Sequence, residues 1–219
     1  MQTGKLTKII EENLPYRPDE KRTYIGASSI GSECMRQVWY GYNDYPSEPY
    51  TNRTIRIFET GKKLEGLVLG LLEDSGVTLT RIYWDLFDEE LPYFRGHVDA
   101  MWLWTARREP RAVIEVKTAK ASMFNQFKNH GLRAWSPLYY SQVQAYMGMS
   151  GVHTAYVIVM NKDNCDLWDE RVDFDPMFYE ELKMRAVSIH AATTPPPKVS
   201  NSPGWYICKL CKYRKECHK

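Results

Sequence analysis

The sequence predicts one α/β domain with a small cysteine-rich tail, and three observations carry that expectation. Strand patterns follow one another at 78–84, 93–104 and 112–118, the last an apolar β-branched run around Val113, Ile114 and Val116. Helical periodicity stands on either side of them, most clearly at 53–75, where Leu64, Leu67, Val68, Leu71 and Leu72 recur before Gly76. Three closely spaced cysteines, Cys208, Cys211 and Cys217, then mark the C-terminal end.

Composition narrows the classes. With 219 residues, 43% hydrophobic and 26% charged, the chain can bury a full core. A net charge of +2 gives no global field that draws it to nucleic acid, so any basic surface must be local. No apolar run approaches the ~20 residues of a membrane span. The start, Met-Gln-Thr-Gly-Lys-Leu-Thr-Lys, lacks the apolar centre of a signal peptide, which reads as cytosolic. In that compartment the five cysteines are expected to be metal ligands rather than disulfides. Most of the fifteen tyrosines and seven tryptophans belong to core and rim, although aromatic rings can also stack on bases.

In chain order, residues 4–14 suggest a short amphipathic helix stopped by Pro15, followed by a loop over 15–22. Ser28-Ser29-Ile30-Gly31 opens a helix over 33–41 that carries Cys34, Arg36, Trp39 and Tyr40. In the 53–75 helix Glu65 sits at the edge of the apolar stripe, either reaching water or aimed as a third acid at a metal. The three strand patterns suit an antiparallel meander. A helix over 121–129 comes next, and Ser136-Pro137 caps another through 149. On it Gln142 and Tyr146 share a face at i and i+4, as polar surface or as donors to a phosphate or base. Strands at 154–160 and 167–174, with Cys165 in the turn between them, lead to a helix over 176–192 that the prolines 195–197 end.

The chemistry centres on 96–120. Strand alternation puts His97 and Asp99 on one face, and Glu115 and Lys117 on one face of the next strand. A polar turn at 105–110 folds the second strand back on the first. Two carboxylates so placed repel unless a cation lies between them, and hard oxygen ligands suit Mg²⁺ or Mn²⁺. Lys117 can hold a water beside that metal. The competing reading is a solvated Glu–Lys pair at a strand edge. An unpaired charge is costly on so apolar a strand, which favours the chemical reading.

In the tail, Cys208 and Cys211 form a Cys-x2-Cys knuckle with Cys217 beyond it. A fourth ligand is sought among Cys34, Cys165 and His218. Cys34 would complete a four-thiolate shell for a [4Fe–4S] cluster or a structural zinc and tie the chain ends together. Lys209, Lys212, Arg214, Lys215 and Lys219 make the tail basic, as a solvated end or a phosphate-tracking patch.

Taken together, Glu65, Gly96-x-x-Asp99, Glu115-Val116-Lys117-Thr118 and Gln142-x3-Tyr146 resemble the successive motifs of the RecB-like branch of PD-(D/E)XK nucleases. Cys34 with the three C-terminal cysteines resembles that branch's iron–sulfur members, the CRISPR-associated RecB-like exonucleases and the nuclease domains of AddAB-type helicase–nucleases. Where those members usually carry histidine, Glu65 is more like the phage-recombination exonucleases. The resemblance covers about residues 28–217. It implies a restriction-endonuclease-like core, a mixed central sheet flanked by helices, with the core at 53–175 and a metal-binding tail at 195–219. It also implies a Mg²⁺- or Mn²⁺-dependent DNA exonuclease for single strands or ends, standalone and phage-encoded. Asp99 and Glu115 would ligate the metal with the Val116 carbonyl assisting and Glu65 direct or through water. Lys117 would position the attacking water, Gln142 and Tyr146 would orient DNA, and Cys34, Cys208, Cys211 and Cys217 would hold the cluster. His97 is expected to pack. Two alternatives stand beside this: a structure-selective endonuclease on the same core, and a non-catalytic DNA-binding module with a structural metal. Homo-oligomers and recombination or CRISPR partner proteins fit the first reading.

Overall fold

The computed structural model describes residues 4–13, 23–80, 82–104 and 109–219, so the expected Pro15 stop, the loop at 15–22 and most of the turn after 104 lie outside the described residues. The chain runs α1 (Lys5–Asn13), β1 (Ile25–Gly26), α2 (Ala27–Ile30), α3 (Met35–Tyr42), α4 (Asn52–Asp74), β2 (Leu79–Thr80), β3 (Trp84–Phe87), β4 (Phe94–Val98), β5 (Ala100–Trp104) and β6 (Glu109–Ala119). It continues through α5 (Ala121–Trp135), α6 (Pro137–Ser150), β7 (Thr154–Asn161), β8 (Leu167–Asp173), α7 (Pro176–Ala191), α8 (Tyr206–Lys209) and α9 (Arg214–Cys217). The larger sheet has the order β2-β5-β6-β7-β8 and the smaller one β1-β4-β3.

The larger sheet is mixed. β5 and β8 run antiparallel to their neighbours, while β6 and β7 are parallel, joined by the α5–α6 crossover. Parallel strands buried on both faces read as continuous apolar runs. Val113, Ile114 and Val116 on β6 and Ala155, Val157, Ile158 and Val159 on β7 are all buried. Ile114, Val116, Ile158 and Met160 face Val68 and Leu69 of α4. Val113, Val157 and Val159 belong to the larger core with Phe127 of α5, Met147 of α6 and Leu182 and Ile189 of α7. The sheet therefore lies between α4 on one side and α5–α7 on the other.

Local signals explain the helix ends. The Thr51 hydroxyl accepts the Thr54 N–H at the start of α4, 3.2 Å away. The Ser136 hydroxyl accepts the Tyr139 N–H at 3.3 Å, with Pro137 as the first residue of α6. Asp175 does the same for α7, accepting the Phe178 N–H at 3.0 Å. Four expectations are corrected. The strand expected at 93–104 is two strands in two sheets, broken at Asp99, so the meander is interrupted. Cys34 lies at the N-cap of α3 rather than within a helix. The helix expected at 121–129 is followed, across a kink at Gly131 with a φ of +76°, by a further turn to Trp135. On α4 the buried face is Val68 and Leu69 with Leu64 and Leu72 partly covered, while Leu67 and Leu71 are turned outward, because they lie on the neighbouring stripe of the same helix.

One glycine is dictated by a close approach. A Cβ on Gly96 would stand 2.4 Å from Tyr146 Cε1 and 2.9 Å from the Ala27 Cβ. Both neighbours are buried and cannot retreat. Gly96→Ala is expected to cost about 3 kcal/mol from overpacking, visible as a melting temperature lowered by roughly 6–12 °C. An unchanged melt would mean that Tyr146 has another place to go.

Candidate active site

Asp99 sits between the two sheets. Val98 ends β4 and Ala100 opens β5, so the single residue between them takes the bend. β5 pairs with β6 only as far as Ala100↔Ile114, and β6 continues to Ala119. The Asp99 side chain fills the unpaired side of β6, where its Oδ2 accepts the Val116 N–H at 2.8 Å. In a strand the N–H and C=O of one residue leave on the same side, so the Val116 carbonyl opens toward Asp99 as well. His97 does not share a face with Asp99. It stands on the exposed side of β4, its Nε2 2.8 Å from Asp85 Oδ1, rather than packed in the core.

Glu115 and Lys117 project together from β6 as alternation requires. Glu115 is 1% exposed, and Lys117 donates from Nζ to its Oε1. Glu115 Oε2 is buried and has no hydrogen-bond partner in the protein. Burial raises Glu115, and Lys117 draws it back. Burial and then the Glu115 charge push Asp99 up to about 8. Burial pulls Lys117 down, but the Glu115 and Asp99 carboxylates outweigh it and hold the ammonium above its ordinary range. The Tyr139 ring lies under Nζ, 4.7 Å to the centroid.

Glu65 approaches from α4. Burial and the Asp99 charge raise its carboxyl, while Lys117 and a hydrogen bond from Tyr83 lower it. Glu65 is half-buried on α4 and stands near enough to Asp99 and Lys117 to feel both charges. Tyr83 was not visible in the sequence as part of this group. Its backbone has a φ of +56°, rare for a bulky residue, its N–H reaches the Asp99 carbonyl at 3.2 Å and its hydroxyl binds Glu65. Gln142 and Tyr146 share a helix face, but they are buried and bonded to each other, Gln142 Nε2 donating to Tyr146 Oη at 2.7 Å. They stand behind the acids rather than at the surface.

Cys34, Cys208, Cys211 and Cys217 line one small cavity together with Arg36, Lys198 and His218. Arg36 donates from Nη1 to Cys217 Sγ at 3.8 Å and from Nε to the Pro196 carbonyl at 2.5 Å. Burial raises the Cys208 and Cys211 thiols. His218 Nε2 is buried without a hydrogen-bond partner. Cys165 is exposed in the β7–β8 turn and does not line this cavity. Among the described residues no three His, Cys, Asp or Glu side chains stand as a formed metal-binding group, here or at the acids. Of the basic tail, Lys215 pairs with Glu48 at 2.8 Å and Lys219 with Glu216. Among the described residues no helix is long and apolar enough to cross a membrane.

The mixed sheet with helices on both faces is a fold that the chain shares with solved structures. Two crystal structures of an alkaline exonuclease from Laribacter hongkongensis are similar to the chain. The first has a TM-score of 0.58 at 13% identity, over 78% of this chain and 88% of that one. The second, in complex with dAMP, has a TM-score of 0.60 at the same 13% identity and the same 78% and 88% coverage. The crystal structure of SSO0001 has a TM-score of 0.55 at 17% identity and covers 97% of this chain and 93% of its own. The likeness is one of fold. No family model and no curated protein matches the chain.

Proposed function

We propose that the protein is a metal-dependent DNA exonuclease of the RecB-like branch, acting on single strands or DNA ends in recombination, repair, or a phage or CRISPR setting. One observation carries this reading: the Asp99 and Glu115 carboxyls meet beside the Lys117 ammonium, with Glu65 turned toward them. The exonuclease fold neighbours, one of them holding dAMP, support it. The donor set fits a divalent cation, because Glu115 Oε2 is a buried oxygen with no partner and the neighbouring carboxyls are all raised by burial. Glu65, Asp99, Glu115 and the Val116 carbonyl would hold it. Such an ion would supply a Lewis acid for the scissile phosphate and a lowered pKa for the attacking water.

The chain's own groups supply the rest. Lys117 would orient the water through Nζ and offset charge gathering on the phosphate oxygens, with the Tyr139 face steadying it. Gln142 and Tyr146, closed to solvent, would act by setting the wall behind the acids rather than by touching DNA. Labelled linear single-stranded DNA should be degraded with Mg²⁺ or Mn²⁺ and spared with EDTA, while circular single strands stay whole. Cut circles would favour the endonuclease alternative. DNA binding without cleavage under any divalent metal would favour the DNA-binding module.

For the cysteines the reading is a [4Fe–4S] cluster, with structural zinc as the alternative. Four thiols converging on one cavity beside Arg36 and Lys198 give a donor set and a positive surround that suit either. Protein purified anaerobically is expected to be brown. Cys34→Ala should lose most of its bound iron by elemental analysis, and Cys165→Ala should keep it. A colourless protein retaining zinc would assign the site to zinc, and metal content unaffected by Cys34→Ala would remove Cys34 from the ligand set.

A further inference from the structure

The outer face of α4 is bare among the described residues. Leu67 and Leu71, one helical turn apart, leave 48% and 44% of their surface to solvent. Large apolar side chains side by side on an outer helix face are the mark of a surface that something covers. Between them the helix is unusually thin. A Cβ built on Gly66 or on Gly70 would meet nothing within 4 Å. Glycine is a poor helix former, and no close approach within the chain calls for either one.

The charges on this stripe are sorted by sign. Lys63 lies four residues before Leu67 and Asp74 four after Gly70, so all four residues fall on one side of the helix. Both charged side chains are exposed, and among the described residues neither has an ion-pair partner. One end of the stripe is therefore cationic and the other anionic, with leucine and glycine between. That order is complementary to itself when reversed. A second copy of α4 laid antiparallel, with the two-fold axis level with Val68 and Leu69, sets Lys63 against the second copy's Asp74. The same register sets Leu67 against Gly70 and Gly66 against Leu71, so that each leucine meets the gap over a glycine. A parallel pair would instead bring like charges together.

We infer that this face docks a second copy of the chain, α4 against α4 and antiparallel, to give a two-fold dimer. Such a contact uses the same patch on both copies and closes at two. It is independent of the nuclease reading. Glu65 precedes Leu67 by two residues, about 200° around the helix, so the acids point away from the second copy. The stripe from Lys63 to Asp74 is about three turns long, a small contact, and the dimer is expected to be reversible with a Kd on the order of 10 µM.

Sedimentation equilibrium of the full chain, at concentrations on either side of that Kd, tests this. Wild type should pass from 25.6 kDa toward twice that mass as concentration rises. Lys63→Asp and Asp74→Lys each turn both attractive contacts of the dimer into repulsive ones, and each should dimerise about tenfold more weakly. An equimolar mixture of the two variants restores opposite charges at both contacts, and it should dimerise as wild type does. Gly70→Gln closes the gap that Leu67 enters and should be monomeric, with a melting temperature no lower than wild type because glutamine is the better helix former. Wild type that stays monomeric throughout would overturn the assignment and leave the face to a different partner. So would a dimer that neither charge variant weakens, or variants that stay apart when mixed although both melt normally. A mass that climbs past two copies would overturn the two-fold contact.

Discussion

Lys117→Ala is expected to lower metal-dependent DNA cleavage by at least a hundredfold to a thousandfold while the protein keeps its native circular dichroism. The magnitude is that of removing one preorganised cation or donor from a developing oxyanion. The same substitution has a second effect, because Lys117 is also the hydrogen-bonded counter-ion of a glutamate that is 1% exposed. Stranding a buried charge costs about 3–5 kcal/mol. Glu115 is already raised by burial and escapes part of that by taking a proton, so about 2–3 kcal/mol should appear in metal-free unfolding. The two effects separate in one experiment. Divalent metal should raise the melting temperature of Lys117→Ala and leave its cleavage lost. A variant that cuts DNA within tenfold of wild type would remove Lys117 from the chemistry.

The second large effect is a pH dependence of stability that Asp99→Asn reduces. The folded pKa of Asp99 is raised to about 8 by burial and by Glu115, from an ordinary 3.8. The folded state therefore binds the proton more tightly than the unfolded chain between those values. Stability from this group is complete below about pH 4 and is lost as pH rises toward 8, with a slope of at most about 1.4 kcal/mol per pH unit. Glu115 and Glu65, also raised, act in the same direction. Metal-free wild type should thus melt at progressively lower temperature from pH 4 to 8. Asp99→Asn mimics the protonated acid, and its side-chain oxygen can still accept the Val116 N–H. It should be flatter over that range, more stable than wild type at pH 8, and inactive. Parallel profiles for the two proteins would show that the acids do not share a buried site.

The β6 strand, the capped α6 and the 53–75 helix were legible because each carries its own local signal: β-branched residues, Ser136-Pro137, and leucines at helical spacing ended by Gly76. The pairing of Glu115 with Lys117 followed from alternation alone. The break at Asp99 was not legible. Residues 93–104 read as one strand because a bend of one residue between two sheets leaves no glycine or proline behind. For the same reason alternation along 93–104 puts His97 on the face of Asp99. Tyr83 was hidden more completely, since its left-handed backbone depends on the tertiary contacts with Glu65 and Asp99 and not on its residue type. Gln142 and Tyr146 looked like surface by polarity, and their mutual hydrogen bond is what allows both to be buried.

The bend at Asp99 joins the smaller sheet to the sheet that carries Glu115 and Lys117. With one residue as the joint, the smaller sheet cannot shift without turning the backbone that aims the Asp99 carboxylate, and that carboxylate is fastened to the Val116 amide. Hydrogen exchange at Val116 is therefore a gauge of what happens some distance away, at β4. A shift of the smaller sheet would be felt at the acids as torque on a single peptide unit.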